Sequence, residues 1–386
     1  MDSLRVRVYN VRFGDAVLIS VPDRGLDGAT TLRHILIDVG NVLSGAGGQD
    51  PLFEAVVRDV LEVLDGQPLD LYVMTHEHMD HVQGLPYAAH KLGLEIPVAY
   101  SWLTASAAPD YYDNHPEARK QRLAFLEAYD AIASFLAAVP ERETPWMRAL
   151  MLNNNPRSTA DCVEYLRGLA AATSYVYRGC DSAGTHPFQE AVLEILAPEE
   201  DTSAYYGRLQ PMTLGFHLSG AKRPQPRPTV VEPPPGVDAG AFYNLVERRR
   251  QGLADNLLAI DRAANETSVV FTLAWRGWKL LFAGDAELRS WKTMDRHDLL
   301  SPVNLLKVSH HGSHNGTPDE ELLAKLLPLD DETRIAAVST FPETYGGVPH
   351  RETLKRLDQR AEVRSVEGLP DGAYMDILFD DEAEAT

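Results

Sequence analysis

The chain has 386 residues, 44% hydrophobic and 24% charged, enough to bury a large core as one domain carrying insertions or as one domain plus a small one. Its 36 basic and 56 acidic residues give a formal net charge of −20, and its densest basic runs are only Arg248–Arg250 and Lys222-Arg223, which argues against a broad nucleic-acid-binding surface. Two cysteines, Cys162 and Cys180, make no disulfide framework, Met1–Val6 lacks a signal-peptide pattern, and no apolar run approaches the roughly 20 residues of a membrane span. A reducing, cytoplasmic setting without membrane contact is the expectation.

Leu4–Tyr9 alternates as a half-buried strand does, and Ala16–Val21 follows a Gly14-Asp15 turn to complete a hairpin. Ile35–Val39 predicts a third strand, ending in Asp38-Val-Gly40 before a glycine-rich loop, Gly45–Gly48. Leu52–Leu64 has helical periodicity. Leu71–Met74 is then an apolar run that leads directly into His76-x-His78-x-Asp80-His81. Side chains alternate along extended chain, so His76, His78 and Asp80 project together, with His81 following as the chain turns. Imidazole and carboxylate are ligands for a divalent transition metal, zinc above all, with manganese the alternative. Two imidazoles can hold one ion, and Asp80 with His81 a second. Paired ions about 3.5–4 Å apart would clamp a hydrolytic displacement.

Gly84–Leu92 predicts a helix. Pro116–Val139 and Ser158–Ala172 predict two more, read as a helical insertion or cap within residues 110–180. Val192–Leu196 is again a strand. Residues 205–255 hold Arg223-Pro-Gln-Pro-Arg-Pro228 and Glu232-Pro-Pro-Pro-Gly236, a stiff insertion read as a lid or a surface loop. Ser268–Ala274 and Trp278–Ala283 form a hairpin turned at Arg276-Gly277, followed by Gly284-Asp285. Val303–Val308 predicts a buried strand that delivers Ser309, His310, His311, Gly312 and Ser313 at its end. Ile335–Ser339 and Met375–Phe379 are further strands, Glu320–Leu327 and Arg351–Leu357 further helices, and Asp380–Thr386 an acidic tail.

Adjacent residues on extended chain point opposite ways, so one of His310 and His311 is expected at the metals; His310 is taken as the ligand with His311 nearby, and either can give a proton to a leaving group. Ser313 and the amides around Gly312 can hold an anionic oxygen, and Lys307 can assist with a phosphate. His350, just before a helix, is expected as a last ligand or a substrate contact.

The His-x-His-x-Asp-His window, with Asn10–Ile19, Ile35–Gly40, Leu280–Ala286 and Leu305–Ser313 in the same order, resembles the metallo-β-lactamase superfamily. The branch it looks most like includes the hydrolase domain of the competence DNA-uptake protein and the phosphorylcholine esterases. The resemblance implies a four-layer αββα sandwich spanning residues 1–386. It also implies that Asp285 bridges two metals and that Asp38 orients the metal loop without ligating. It leaves a gap as well. Related sequences often supply a further His after the strand matching Val192–Leu196, where this chain reads Ala197-Pro198-Glu199-Glu200. The remaining candidates, Glu199, Glu200, His186 and His217, are poorly spaced.

The expected function is metal-assisted hydrolysis with Asp80 orienting a metal-held water, most of all of phosphodiesters in a nuclease-like reaction. Hydrolysis of small esters, lactones or amides is the second expectation. A non-catalytic metal-bound module acting with a partner protein is the third.

Overall fold

The structure, a computed structural model, describes residues 3–42, 49–212, 252–341 and 347–381. The glycine-rich loop Gly45–Gly48, residues 213–251 of the Pro-rich insertion and residues 382–386 of the tail lie outside the described residues. Among the described residues no helix is long and apolar enough to cross a membrane.

Two mixed sheets stack face to face. The first is built from β1 (Leu4–Tyr9), β2 (Val17–Arg24), β3 (Thr30–Ile37), β4 (Leu69–Met74), β5 (Val98–Thr104), β6 (Ala170–Val176) and β13 (Tyr374–Phe379), in the order β13-β1-β2-β3-β4-β5-β6. The second holds β7 (Val192–Ala197), β8 (Val270–Trp275), β9 (Trp278–Phe282), β10 (Leu305–Lys307), β11 (Ile335–Val338) and β12 (Glu362–Ser365), in the order β12-β11-β10-β9-β8-β7. In each sheet, antiparallel pairs occupy one side and parallel pairs the other.

Strand periodicity fixes the layers. Ile35 and Ile37 of β3 point between the sheets with Val73, Phe271, Leu280 and Leu305. Leu36, Tyr72 and Met74 point outward instead. There they meet α1 (Gln49–Leu64), whose Phe53, Val56, Val57 and Val60 recur at helical spacing. On the far face, Leu281, Leu306 and Ala336 are covered by Trp291, Leu323 and Leu357 from three later helices. The layers therefore run helix, sheet, sheet, helix, the αββα arrangement that the sequence resemblance implies.

Between β4 and β6 the chain carries α2 (Met79–Val82), α3 (Pro116–Ala138), α4 (Pro145–Asn153) and α5 (Pro156–Arg167). The next helix, α6 (Leu253–Asn265), follows the Pro-rich stretch. Helices α3, α4 and α6 share a small core of their own, with Ile132, Leu150 and Leu257 at its centre. Helix α5 instead lays Cys162, Val163 and Leu166 against the first sheet. The predicted helix through Ala172 ends at Arg167, and Ala170–Val176 pairs parallel to β5 as an edge strand. The helices of the outer layer are α7 (Leu288–Arg296), α8 (Glu320–Leu326) and α9 (Arg351–Asp358).

Candidate metal centre

Strand ends from both sheets deliver the polar groups. β4 stops at Met74, and Thr75 hands the chain to His76, His78 and the short helix α2, which carries Asp80 and His81. Asp38, just past β3, orders this loop. Its carboxylate accepts from the Thr75 amide at 2.8 Å and the Thr75 hydroxyl at 2.6 Å, and lies 2.8 Å from His81 Nδ1. Gly40 lets the loop close down: a Cβ there would sit 2.2 Å from the Asp80 carbonyl carbon. Across the sandwich, β9 leads to Gly284, with φ of +51°, and then to Asp285, whose amide donates to Ser268 Oγ at 3.0 Å.

β10 ends in an unusual turn. His310, His311 and Gly312 have φ of +48°, +55° and +77°, three left-handed residues in succession. Two of them are not glycine, a backbone cost of about 1–3 kcal/mol each that concentrates at functional sites. The chain is therefore not extended here, and adjacent imidazoles reach the same carboxylate. His311 Nε2 lies 3.5 Å from Asp285 Oδ2, and His310 Nε2 lies 4.0 Å from it.

Asp80, His81, Asp285 and His311 bring one ligand atom each to within 4.8 Å of one another, all buried. His81 Nε2 is 3.3 Å from Asp285 Oδ2 and 3.8 Å from Asp80 Oδ1, and His311 Nε2 is 3.5 Å from Asp80 Oδ2. Asp80 Oδ1, His81 Nε2, Asp285 Oδ1 and His311 Nε2 are buried with no hydrogen-bond partner. Four such orphans converging on one point is costly unless a cation fills it, so the donor set fits a divalent metal. The other ring nitrogens are anchored: His81 Nδ1 by Asp38, and His311 Nδ1 by the Ser339 carbonyl at 3.1 Å. Such anchoring fixes ring orientation around a metal.

The cluster's charges support one another. Burial alone would raise the Asp285 carboxyl, but the facing imidazoles of His81, His311 and His310 hold it well below the usual range. His81 shows the converse. Burial would lower it, and Asp285, Asp80 and Asp38 hold it well above the ordinary imidazole value. Asp80 is lowered too, because His81 and His311 outweigh burial and the repulsion of Asp285.

The remaining predicted residues stand around this group. His76 Nε2 lies 2.9 Å from His78 Nδ1, and burial pushes His76 well below its ordinary value. His78 Nε2 turns the other way, to Asn154 Oδ1 at 2.8 Å. Among the described residues no second group of three or more potential ligands gathers as tightly as the four. Of the two adjacent histidines, His311 rather than His310 enters the cluster; His310 faces Asp285, with Glu287 3.7 Å from its Nδ1. His350 caps α9 by accepting from the Thr353 amide, and its own amide donates to the Gly312 carbonyl at 2.9 Å, beside the histidine turn. Lys307 does not face substrate space. It is buried 2.8 Å from Asp15, a pair joining β10 to the β1–β2 turn. Ser313 is buried and accepts from the Gly316 amide.

None of the described alternatives for the missing His reaches the site. Glu199 is clamped by Arg178 at 2.7 and 2.8 Å, Glu200 is exposed, and His186 packs its ring against Trp102; His217 lies outside the described residues. The sequence reading missed a polar frame behind His78 and His310. Asn154 Nδ2 donates to Asp261 at 2.9 Å, and Asn265 Nδ2 donates to Asp261 at 3.3 Å and to Glu287 at 3.1 Å. The run Asn153-Asn154-Asn155 closing an amphipathic helix was its one available signal.

No family model and no curated protein sequence matches the chain. Among solved structures it is similar to a protein described as a metal-dependent hydrolase from Parabacteroides distasonis ATCC 8503. The two are 12% identical with a TM-score of 0.34, over 94% of this chain and 93% of that one. It is also similar to a long-form RNase Z from yeast, 12% identical with a TM-score of 0.31, over 90% of this chain. The matched part spans 38% of that RNase Z. Likeness at this level leaves the chemistry to be argued from this chain's own residues.

Proposed function

We propose that this protein is a metal-dependent hydrolase whose Asp80, His81, Asp285 and His311 hold a divalent cation, with zinc the metal of choice for two imidazoles and two carboxylates. The carrying observation is the convergence of four buried, unpartnered ligand atoms. A bound cation supplies Lewis-acid polarisation of a carbonyl or phosphoryl oxygen and acidifies water. The ionised Asp80 carboxylate accepts the proton of an attacking water and orients it. His310, part-exposed at the edge of the cluster and flanked by Asp285 and Glu287, gives a proton to the leaving group, the role expected of either adjacent histidine. His76 and His78, whose rings meet at 2.9 Å beside the cluster, are the candidates for a second ion, which would have to replace that contact.

Phosphodiesters are the favoured substrates and small esters, lactones or amides the second reading. The net charge of −20 favours a small substrate over long nucleic acid in either case. Turnover of bis-p-nitrophenyl phosphate and p-nitrophenyl acetate by the metal-loaded protein tests this. Activity on one of them that Asp285→Ala abolishes is the expected result. Wild type and variant equally inert on both would remove the hydrolase reading.

A further inference from the structure

A cleft of about 400 Å³ opens over the metal cluster, and Asp80, Asp261 and His310 line its polar side. Asn153, Ser313 and Asn315 also line it, together with a set of apolar side chains. Trp146 and Leu150 come from α4, Leu258 from α6, and Phe13 from the β1–β2 turn. Leu258 is 47% exposed, a leucine left facing solvent beside a buried charged centre. No Lys or Arg is among the described residues lining this cleft. Lys307 is buried against Asp15, and Arg262, which follows Asp261 on α6, pairs with Glu287 at 3.0 Å. Arg122, stacked on Tyr112, lines a different cavity of about 110 Å³ behind His78, to which Asn154 contributes rather than Asp261.

Among the described residues lining this cleft, a substrate bound at the cluster thus meets carboxylates and apolar surface but no Lys or Arg. A second phosphate or carboxylate on the substrate would be repelled by Asp261, with no Lys or Arg among those lining residues to offset it. An alkyl or aryl group would instead leave water against Trp146, Leu150 and Leu258. We infer that the Trp146–Leu150–Leu258 wall selects substrates carrying an apolar substituent on the ester carbon or phosphorus and no second anionic group. This rests on the hydrolase reading for the reaction but not for the binding.

Two series separate the sources of that chemistry: p-nitrophenyl acetate, butyrate and hexanoate, and the methyl, butyl and phenyl diesters of p-nitrophenyl phosphate. In the series that is turned over, kcat/KM should rise about three- to four-fold per added methylene, the increment of burying one CH2. Leu258→Ser, at an exposed position where folding tolerates the change, should flatten that slope, and Trp146→Ala should do so independently. Titration calorimetry of wild type with hexanoate and acetate needs no turnover and should show the same preference, lost in Leu258→Ser. If that preference is present while neither series is hydrolysed, the cleft assignment stands and the hydrolase reading falls. Turnover with no dependence on chain length, or a slope unchanged in both variants, overturns the cleft assignment alone.

Discussion

Lys307→Met is the most informative single substitution, because sequence and structure assign Lys307 different work. Its ammonium lies 2.8 Å from Asp15, and the two side chains are 4% and 5% exposed. At an effective dielectric near 20, that separation corresponds to about 6 kcal/mol of gross attraction. Desolvating both groups offsets much of it, so the net worth of the pair is far smaller. Removing one partner is different. Asp15 would remain buried as an uncompensated carboxylate, at a cost of about 3–5 kcal/mol. Urea unfolding of Lys307→Met should show a loss of that size, and the Asp15→Leu/Lys307→Met double variant should recover most of it. Asp15 also holds the metal loop, because its amide donates to the Asp80 carbonyl at 3.1 Å. The single variant should therefore bind metal less well than the double one. A Lys307→Met protein of near wild-type stability with a KM raised ten-fold would refute this reasoning and return Lys307 to the substrate.

Three other outcomes follow from the geometry. Gly40→Ala places a Cβ within 2.2 Å of the Asp80 backbone, so it should lower the unfolding free energy by about 1–3 kcal/mol and cut metal content, measured by elemental analysis, more than it cuts helicity. Asp38→Ala frees the His81 ring and the Thr75 amide, and metal affinity by competitive chelation should fall about 10- to 100-fold with the fold retained. Arg276 binds Glu190 through two nitrogens at 2.9 and 3.1 Å, and this hydrogen bonding holds the Glu190 carboxyl below its usual value. A depressed carboxylate contributes stability that is present above its unfolded value, near 4.5, and lost as pH falls through the lower folded one. Arg276→Ala should therefore cost about 1 kcal/mol at pH 7, with the gap to wild type closing below pH 4.

The strands of this fold were legible as short apolar or alternating runs, whereas their stacking into αββα layers was implied by the family resemblance. Asp80 and His81 were legible from their place just past a buried strand, and Asp285 was joined to them by the family resemblance. The placing of His310 and His311 was not legible. Alternation holds only for extended chain, and three left-handed residues replace it there. The edge strand Ala170–Val176 begins Ala-Ala-Ala and continues the composition of the helix before it, so only its pairing to β5 reveals it. Lys307 and Asp15 lie 292 residues apart, and nothing local to either announces the other. Asp261 likewise reads as one polar position on an amphipathic helix until α6 docks beside His78.

The direct test of the metal assignment is an anomalous-difference map from crystals grown with zinc and measured at the zinc edge. A peak about 2.0–2.2 Å from ligand atoms of Asp80, His81, Asp285 and His311 is the predicted result. A strong peak elsewhere, or one that His311 does not touch, would contradict the centre on which the proposed chemistry depends.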